Sequence, residues 1–175
     1  FILIELLITI LMFMVVFLSG LTNGLGRSVS AQIDNYGSLH YILSTDSEGI
    51  IPFSTIKVKD LDEVQKIEGM DYSGLSIQRA TVSKTEDSNT LDITYFATDH
   101  NEEEILNPII EDTDLKISDL KKNEIILDSS FKEDEGIQVG DHVIDKTSKQ
   151  KLKVVAFAKN AKYGYSEIGF ISSDT

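Results

Sequence analysis

The sequence predicts an α+β protein in which an N-terminal transmembrane helix leads into a domain with antiparallel hairpins. The first observation is an apolar run, Phe1–Leu21, that carries a single charged residue, Glu5. A helix needs about 20 predominantly apolar residues to cross the hydrocarbon core of a bilayer. The second is the polar, acidic and mixed pattern that follows Arg27. The third is a series of short alternating, β-branched segments separated by turn residues, which is typical of strands.

The length of 175 residues suits one membrane anchor and one folded domain. We place the transmembrane helix, in the lipid bilayer, at residues 1–26 and the second domain at residues 27–175. A cleaved signal peptide is the rival interpretation, because Val29-Ser30-Ala31 satisfies the small-residue rule for a cleavage site. The apolar run exceeds the about 7 to 15 residues of a signal sequence core, which favours a permanent anchor.

The composition excludes several kinds of partner and site. The formal net charge is −13, and an acidic surface argues against binding to nucleic acid or to anionic lipid headgroups. The chain contains no cysteine, so it has neither disulfide bonds nor thiolate metal sites. Hydrophobic residues make up 41% of the chain, which is enough for the domain to bury an ordinary core.

The first part of the domain is predicted to be mixed. Residues Arg27–Gln32 continue the membrane helix as a short stalk, which the polar stretch Asp34–Gly37 ends. A first strand is predicted at His40–Thr45. Apolar residues three apart then give a helical stripe over Lys59–Ile67.

The second part is predicted to be mostly strands. The alternating segments Leu75–Lys84 and Thr90–Thr98 flank a polar turn and therefore predict a β-hairpin. Ser129 or Ser130 is suited to cap a single helical turn over Phe131–Glu135. Further strands are predicted at Glu124–Asp128, His142–Asp145, Leu152–Ala158 and Ile168–Ile171.

No catalytic or nucleotide-binding motif is present. The sequence lacks the phosphate-binding GxxxxGK[ST] loop, the GxGxxG and HExxH motifs and the GxSxG nucleophile elbow. His40, His100 and His142 are far apart in sequence, and the run Glu102–Glu104 is most simply a solvated surface. We therefore expect no enzymatic activity and neither a cofactor nor a metal bound by this chain.

The apolar segment itself contains the candidate functional residues. An ionisable group such as Glu5 inside a membrane helix usually faces protein or a cavity, although a position near the membrane surface would let it reach water. Met12 and Met14 are potential soft ligands for a metal or haem, but packing residues are the commoner role. Gly20 and Gly24 form a GxxxG spacing that allows close helix packing, or they merely loosen the helix; the sequence leaves both alternatives open.

Two family resemblances follow from these segments. FILIELLITIL resembles the mature N-terminus of type IV pilins, in which a glutamate at the fifth position is thought to neutralise the N-terminal amine of a neighbouring subunit. Glu5 would then act in filament assembly. Pilins continue as one long helix, whereas Gly20, Gly24, Gly26 and Gly37 are expected to interrupt the helix here. The disulfide of many pilins is also impossible in this chain.

The second resemblance covers nearly the whole chain and is the better match. FLSGLTNGLGRSVS resembles the exit of the first transmembrane helix in MacB/FtsX-type ABC transporter permeases, above all small permeases described as haem exporters. The segments LDITYFATD, EIILDSSFKEDEGIQVGDHVID and KLKVVAFAKNAKYGYSEIGFIS are similar to the strand, short helix, Val-Gly-Asp turn and returning strand of the extracytoplasmic domain in that family.

This resemblance implies a transporter subunit. Residues 27–175 would be extracytoplasmic, and the chain would be an N-terminal fragment that lacks the later membrane helices. A separate ABC ATPase subunit would bind and hydrolyse ATP, and a homodimer of permeases would couple that reaction to export or mechanical transmission. Gly20 and Gly24 would serve helix packing, and Glu5, Met12 and Met14 are candidates for a substrate path.

Overall fold

The structure is a computed structural model that describes residues 1–36, 40–64, 72–98, 106 and 108–175. In these ranges a long N-terminal helix precedes a mixed β-sheet with short helices at its margins. The α+β class predicted from the sequence is therefore confirmed, with the sheet as the centre of the domain.

The N-terminal segment is one unbroken α-helix, α1 (Ile2–Tyr36). Its part Ile2–Asn23 is long and apolar enough to cross a membrane, with a mean hydropathy of 2.8, and no part of that span is buried against the rest of the chain. The predicted interruption of the helix at Gly20, Gly24 and Gly26 is wrong. A glycine costs a helix only about 1 kcal/mol relative to alanine, and in lipid the backbone has no other hydrogen-bonding partner.

Beyond the apolar part, α1 continues through the predicted stalk, Arg27–Gln32, and ends within the predicted stop. Inside the apolar part, the hydroxyl of Thr9 donates to the backbone carbonyl of Glu5 at 2.8 Å, and that of Thr22 donates to Leu18 at 2.8 Å. These bonds satisfy the hydroxyl donors within the helix, since lipid offers them no acceptor.

The segment after α1 does not form the strand predicted at His40–Thr45. Its first residues are irregular, and a 3-10 turn follows at Thr45–Ser47. The Ser44 amide donates to the Ser54 hydroxyl at 2.9 Å, and the Ser47 hydroxyl donates to the Ser44 carbonyl at 2.6 Å. Local bonds to short polar side chains thus take the place of a strand ladder.

The helix predicted over Lys59–Ile67 is present in part, as α2 (Val58–Val64). The predicted positions beyond Val64 lie outside the described residues. Further 3-10 turns occur at Ile51–Phe53 and Ile117–Asp119. Between α1 and the first strand of the sheet, the described regular elements are therefore the 3-10 turns at Thr45–Ser47 and Ile51–Phe53 together with α2, and none of them is a strand.

Among the described residues the sheet contains eight strands, and a short helix, α3 (Ser130–Glu135), follows the fourth. The strands are β1 (Leu75–Ser83), β2 (Leu91–Thr98), β3 (Ile109–Ile110), β4 (Glu124–Asp128), β5 (His142–Asp145), β6 (Lys151–Lys159), β7 (Lys162–Tyr163) and β8 (Ser166–Ser172). The predicted hairpin is confirmed, because β1 and β2 pair antiparallel with Leu75 opposite Thr98. Each strand predicted in the second half of the chain is also present.

The longer strands close into a ring. β1 pairs with β2 and β5, β6 lies between β5 and β4, and β8 joins β4 to β2. The β4–β6 and β2–β8 pairs are parallel, and the other pairs are antiparallel. The sequence predicted antiparallel hairpins, which form between neighbours along the chain. Parallel pairs need crossover connections between distant strands, which the alternating pattern does not reveal.

Two apolar layers stabilise the ring, one inside it and one on its outer face. Inward-facing members include Val82, Ile93, Tyr95, Ile125, Leu127, Val143 and Val154, and outward-facing members include Phe96, Ile117, Leu120, Ile126, Ile168 and Phe170. Gly169 in β8 faces inward between its neighbouring strands. A Cβ atom there would lie 2.7 Å from Ile93 Cδ1 and 2.8 Å from Ile125 Cδ1, so a larger residue would force these two isoleucine side chains to move within the packed interior.

A buried aspartate at the end of β4 anchors the following turn. Asp128 Oδ2 accepts a hydrogen bond from the Ala161 amide at 2.7 Å. Asp128 Oδ1 accepts from the amide and the hydroxyl of Ser130 at 2.9 and 2.6 Å. The predicted serine cap is wrong, since Ser129 makes no side-chain cap bond and the carboxylate holds the start of α3 instead.

Candidate functional site: a helix seam and a cleft

Most of the polar side chains in the apolar part of α1 fall on one line. The line consists of Glu5, Thr9, Met12, Val16, Ser19 and Asn23. Alternating spacings of four and three residues keep side chains on one helix face and define the contact line of packed helices. We call this line the α1 seam.

The α1 seam carries groups that lipid cannot satisfy. Glu5 and Asn23 mark its two ends, and every side chain along it is exposed. Within the described part of the chain, nothing buries the span Ile2–Asn23. Carboxyl and amide groups in a membrane helix face protein or a water-filled cavity rather than lipid. The seam is therefore the face of α1 suited to contact another membrane helix.

The residues predicted as functional lie on different faces of α1. At about 100° per residue, Met12 lies within about 20° of Glu5, whereas Met14 lies about 180° away. A substrate path along one face of α1 would therefore include Glu5 and Met12 but not Met14. Gly20 lies beside the seam, and apart from its chain neighbours and the backbone of α1 itself, no atom lies within 4 Å of its Cβ position. Gly24 lies in the same helix, but its surroundings fall outside what the structure describes.

A cleft of about 880 Å³ opens on the outer face of β1 and β2. Ile77 and Phe96 contribute to its floor, and its walls include the segment around Tyr41 and Ile51 and the turn between β7 and β8 at Tyr165. α1 contacts β7, so the cleft lies beside the junction of the helix with the domain. We call it the β1 cleft.

The floor of the β1 cleft is firmly packed, and its rim is not. Phe96 is 1% exposed and stands edge-on to Tyr163 and Phe170, with ring centroids 5.6 and 6.1 Å away. On the rim, Tyr41 is 51% exposed and Tyr165 is 81% exposed. An apolar floor with exposed aromatic side chains around it is the composition of many binding sites.

Arg79 brings a positive charge to the cleft. β1 places this exposed side chain on the same strand face as the apolar floor. Among the described residues, Arg79 and Asp92 line the cleft without an ion-pair partner, whereas Glu167 is paired with Lys162 at 3.6 Å. A guanidinium group without a partner is a ready site for a carboxylate.

A buried hydrogen-bonded pair fixes the turn between β5 and β6, which reaches the cleft at Thr147. Asp145 Oδ2 accepts from the Tyr95 hydroxyl at 3.0 Å, and its Oδ1 accepts from the amides of Thr147 and Ser148 at 2.9 and 2.6 Å. Burial opposes ionisation of Asp145, but the bonds from Ser148, Tyr95 and Thr147 outweigh it and lower the pKa of this carboxyl. Burial and the neighbouring carboxylate raise the pKa of Tyr95 well above its usual value.

The three histidines of the sequence fall in separate parts of the chain. Within the described residues, no group of three or more His, Asp or Glu side chains is arranged to hold a metal ion. His100 and the run Glu102–Glu104 lie outside those residues, and His40 and His142 lie exposed in different elements. The acidic surface is therefore not concentrated into a described cation site.

Neither the α1 seam nor the charge of the cleft was predicted from the sequence. Counting polar residues at alternating three- and four-residue spacings would have joined Thr9, Ser19 and Asn23 to Glu5. Arg79 had no comparable signal. Its cleft depends on the parallel pairing of β2 with β8, which carries the β7–β8 turn to the side of the hairpin.

Comparison with known proteins shows the fold. No protein-family model matches the sequence. The periplasmic region of MacB from Actinobacillus actinomycetemcomitans has a TM-score of 0.53 and 11% sequence identity, covering 75% of this chain and 62% of that chain. The extracellular domain of the noncanonic ABC-type transporter YknZ from Gram-positive bacteria has a TM-score of 0.49 and 14% identity, covering 75% and 70%. The chain thus has a fold similar to the MacB periplasmic region and spans less than two thirds of its length.

Proposed function

We propose that the chain is a membrane-spanning permease subunit of an ABC transporter, with the residues after about Arg27 on the extracytoplasmic side. One observation carries the proposal: a helix able to cross a membrane leads directly into a domain with the fold of the MacB periplasmic region. The α1 seam adds support, because a lone anchor has no use for Glu5 and Asn23 on one face. In a permease whose membrane helices pack together, these polar side chains would face another helix.

In this proposal a separate ATPase subunit hydrolyses ATP, and this chain is not an enzyme. The sequence contains no phosphate-binding loop, and the proposal assigns no cofactor to this chain. The permease would couple closure of the ATPase pair to export or to mechanical transmission through α1 and the domain. The segment FLSGLTNGLGRSVS supports the finer assignment to the haem-exporter-like group of small permeases.

The α1 seam is proposed to meet the same seam of a second permease copy. Asn23 side chains near the outer end would then bond across the pair, and such interhelical bonds contribute about 0.6 to 2 kcal/mol each. Gly20 and Gly24 would let the two backbones approach closely. Glu5 and Met12 would border a substrate path between the copies, while Met14 would lie away from it.

Co-purification from the source membrane tests the proposal. The native protein, cross-linked in the membrane and captured through its domain, is expected to bring an ATPase subunit with it. Nucleotide-dependent changes in cross-linking along α1 would show the coupling. Capture of the intact protein with no nucleotide-binding subunit, before and after cross-linking, would overturn the assignment.

A type IV pilin-like filament subunit is the second candidate, and the unbroken course of α1 specifically favours it. Glu5 lies one turn from the N-terminus, and its amide donates to the Phe1 carbonyl at 3.0 Å. In a filament, its carboxylate would neutralise the amine of a neighbouring Phe1. Mass spectrometry of the native N-terminus separates the candidates, since a methylated phenylalanine would support the filament and contradict the permease.

A further inference from the structure

We propose that the β1 cleft binds an amphipathic molecule that has an elongated apolar body and one carboxylate, as a fatty acid does. The cleft's volume of about 880 Å³ lies within the range of about 300 to 1,000 Å³ usual for small-molecule sites. Its role in transport rests on the proposed function, which it would extend by naming a class of substrate. Binding itself does not depend on an ATPase.

The apolar body is assigned to the floor and the aromatic rim. Ile77 lies directly opposite Phe96 in the β1–β2 register, and Leu75 continues the same face of β1. Phe96 packs edge-on against Phe170, its neighbour on β8 on the same face of the sheet, so this floor is formed before any ligand arrives. Tyr41 and Tyr165 stand exposed above it, and an apolar chain would remove their rings from water.

The single carboxylate is assigned to Arg79. This guanidinium is exposed and without an ion-pair partner among the described residues, and its geometry suits two parallel bonds to a carboxylate. Asp92 lines the same cleft on the same sheet face as Arg79, forms no ion pair among the described residues, and would repel a second anionic group. Lys162 already neutralises Glu167 on the opposite wall. The local charges therefore favour one carboxylate over a phosphate or a dicarboxylate.

The position of the cleft suits a molecule that leaves a bilayer. Tyr163 of β7 lines the cleft, and α1 contacts β7. A lipid-like molecule moving out along α1 would therefore meet the aromatic wall of the cleft first. The net charge of −13 over the chain repels free anions in general, and within the cleft Arg79 offsets that field.

Photolabelling of the full chain in lipid nanodiscs tests the proposal. The probes are a palmitic acid with a diazirine in its chain and the alcohol with the same diazirine chain. Labelling of peptides that contain Ile77 or Tyr163–Tyr165 is measured by mass spectrometry and divided by labelling of Ile2–Asn23, which both probes reach as lipids. We expect the acid to exceed the alcohol about tenfold in the cleft, the ratio for one charge-assisted bond.

Two variants make the result decisive. Arg79→Gln is expected to remove the preference for the acid and to leave labelling by the alcohol unchanged. Lys153→Gln, an exposed cation on β6 outside the cleft lining, is the matched control and should behave as the wild type. Equal labelling by the acid and the alcohol in the wild type would overturn the inference. An equal loss of labelling by the acid in Arg79→Gln and Lys153→Gln would overturn it as well. If an ATPase partner is found but the acid probe labels the cleft no more than the alcohol probe, the proposed carboxylate site is wrong while the permease assignment stands.

Discussion

Replacing Tyr95 by phenylalanine removes one hydroxyl from the interior of the ring and leaves the aromatic packing in place. Tyr95 is 7% exposed and Asp145 is 6% exposed, so the 3.0 Å bond between them is shielded from water. Hydrogen bonds to charged groups contribute about 1.5 to 3 kcal/mol to the free energy of unfolding. Asp145 keeps its bonds from Thr147 and Ser148. We therefore expect Tyr95→Phe to cost about 2 kcal/mol.

The loss of stability caused by Tyr95→Phe should become smaller in acid. The pKa of Asp145 is lowered in the folded protein, so its carboxylate stabilises the fold above the unfolded pKa of about 3.9. That contribution is lost as the pH falls through the lower pKa of the folded state. Tyr95→Phe deletes one of the bonds that lower this pKa. The stability difference between the variant and the wild type is thus full at neutral pH and shrinks below about pH 4.

Urea unfolding of the full chain in detergent, followed by the circular dichroism of the sheet, measures the effect. A loss of about 2 kcal/mol moves the urea midpoint by about 1 M at ordinary denaturant sensitivities. Tyr165→Phe is the matched control, because Tyr165 is 81% exposed and should leave the midpoint unchanged. Coincident midpoints for the two variants at pH 7, or a difference that does not change in acid, would refute the reasoning.

Three further predictions follow from other parts of the molecule. Gly169→Ala should cost about 1 to 3 kcal/mol by overpacking the ring interior, and a urea midpoint equal to the wild type would contradict this. Asp128→Ala leaves the buried amide of Ala161 without its acceptor. Hydrogen exchange at Ala161 should therefore accelerate, and the free energy of unfolding should fall by about 1 to 3 kcal/mol. Unchanged exchange at Ala161 would argue against the structural role given to Asp128. Because these 175 residues contain no cysteine, Ser19→Cys on the α1 seam should form an oxidised dimer in membranes and Leu18→Cys on the opposite face should not. Equal cross-linking at both positions would refute the seam.

The strands were predictable because each is short, alternating and bounded by turn residues. The hairpin of β1 and β2 follows from local pattern alone, since its partners are neighbours in sequence. The parallel pairing of β8 with β2 was not predictable, because it joins segments that are distant along the chain. The β1 cleft arises from that pairing. Arg79 consequently looked like any other charged residue in an exposed strand position.

The errors near the N-terminus have local causes. At His40–Thr45 the apolar pattern suggested a strand, but the hydroxyls of Ser47 and Ser54, beyond that segment, form competing hydrogen bonds with the Ser44 backbone. In α1, the glycines were given too much weight, because a long helix tolerates isolated glycines. Glu5 was recognised as unusual by its charge alone. The seam through Ser19 and Asn23 needed the helix period to be counted along the whole span.

The intact mass of the native protein in its source membrane, detected through the domain, tests the permease assignment most directly. The account predicts a mass much larger than 19.5 kDa, because a permease would carry further membrane helices beyond the segment described. A mass near 19.5 kDa with a methylated N-terminal Phe1 would contradict it. That result would make Glu5 a residue of filament assembly.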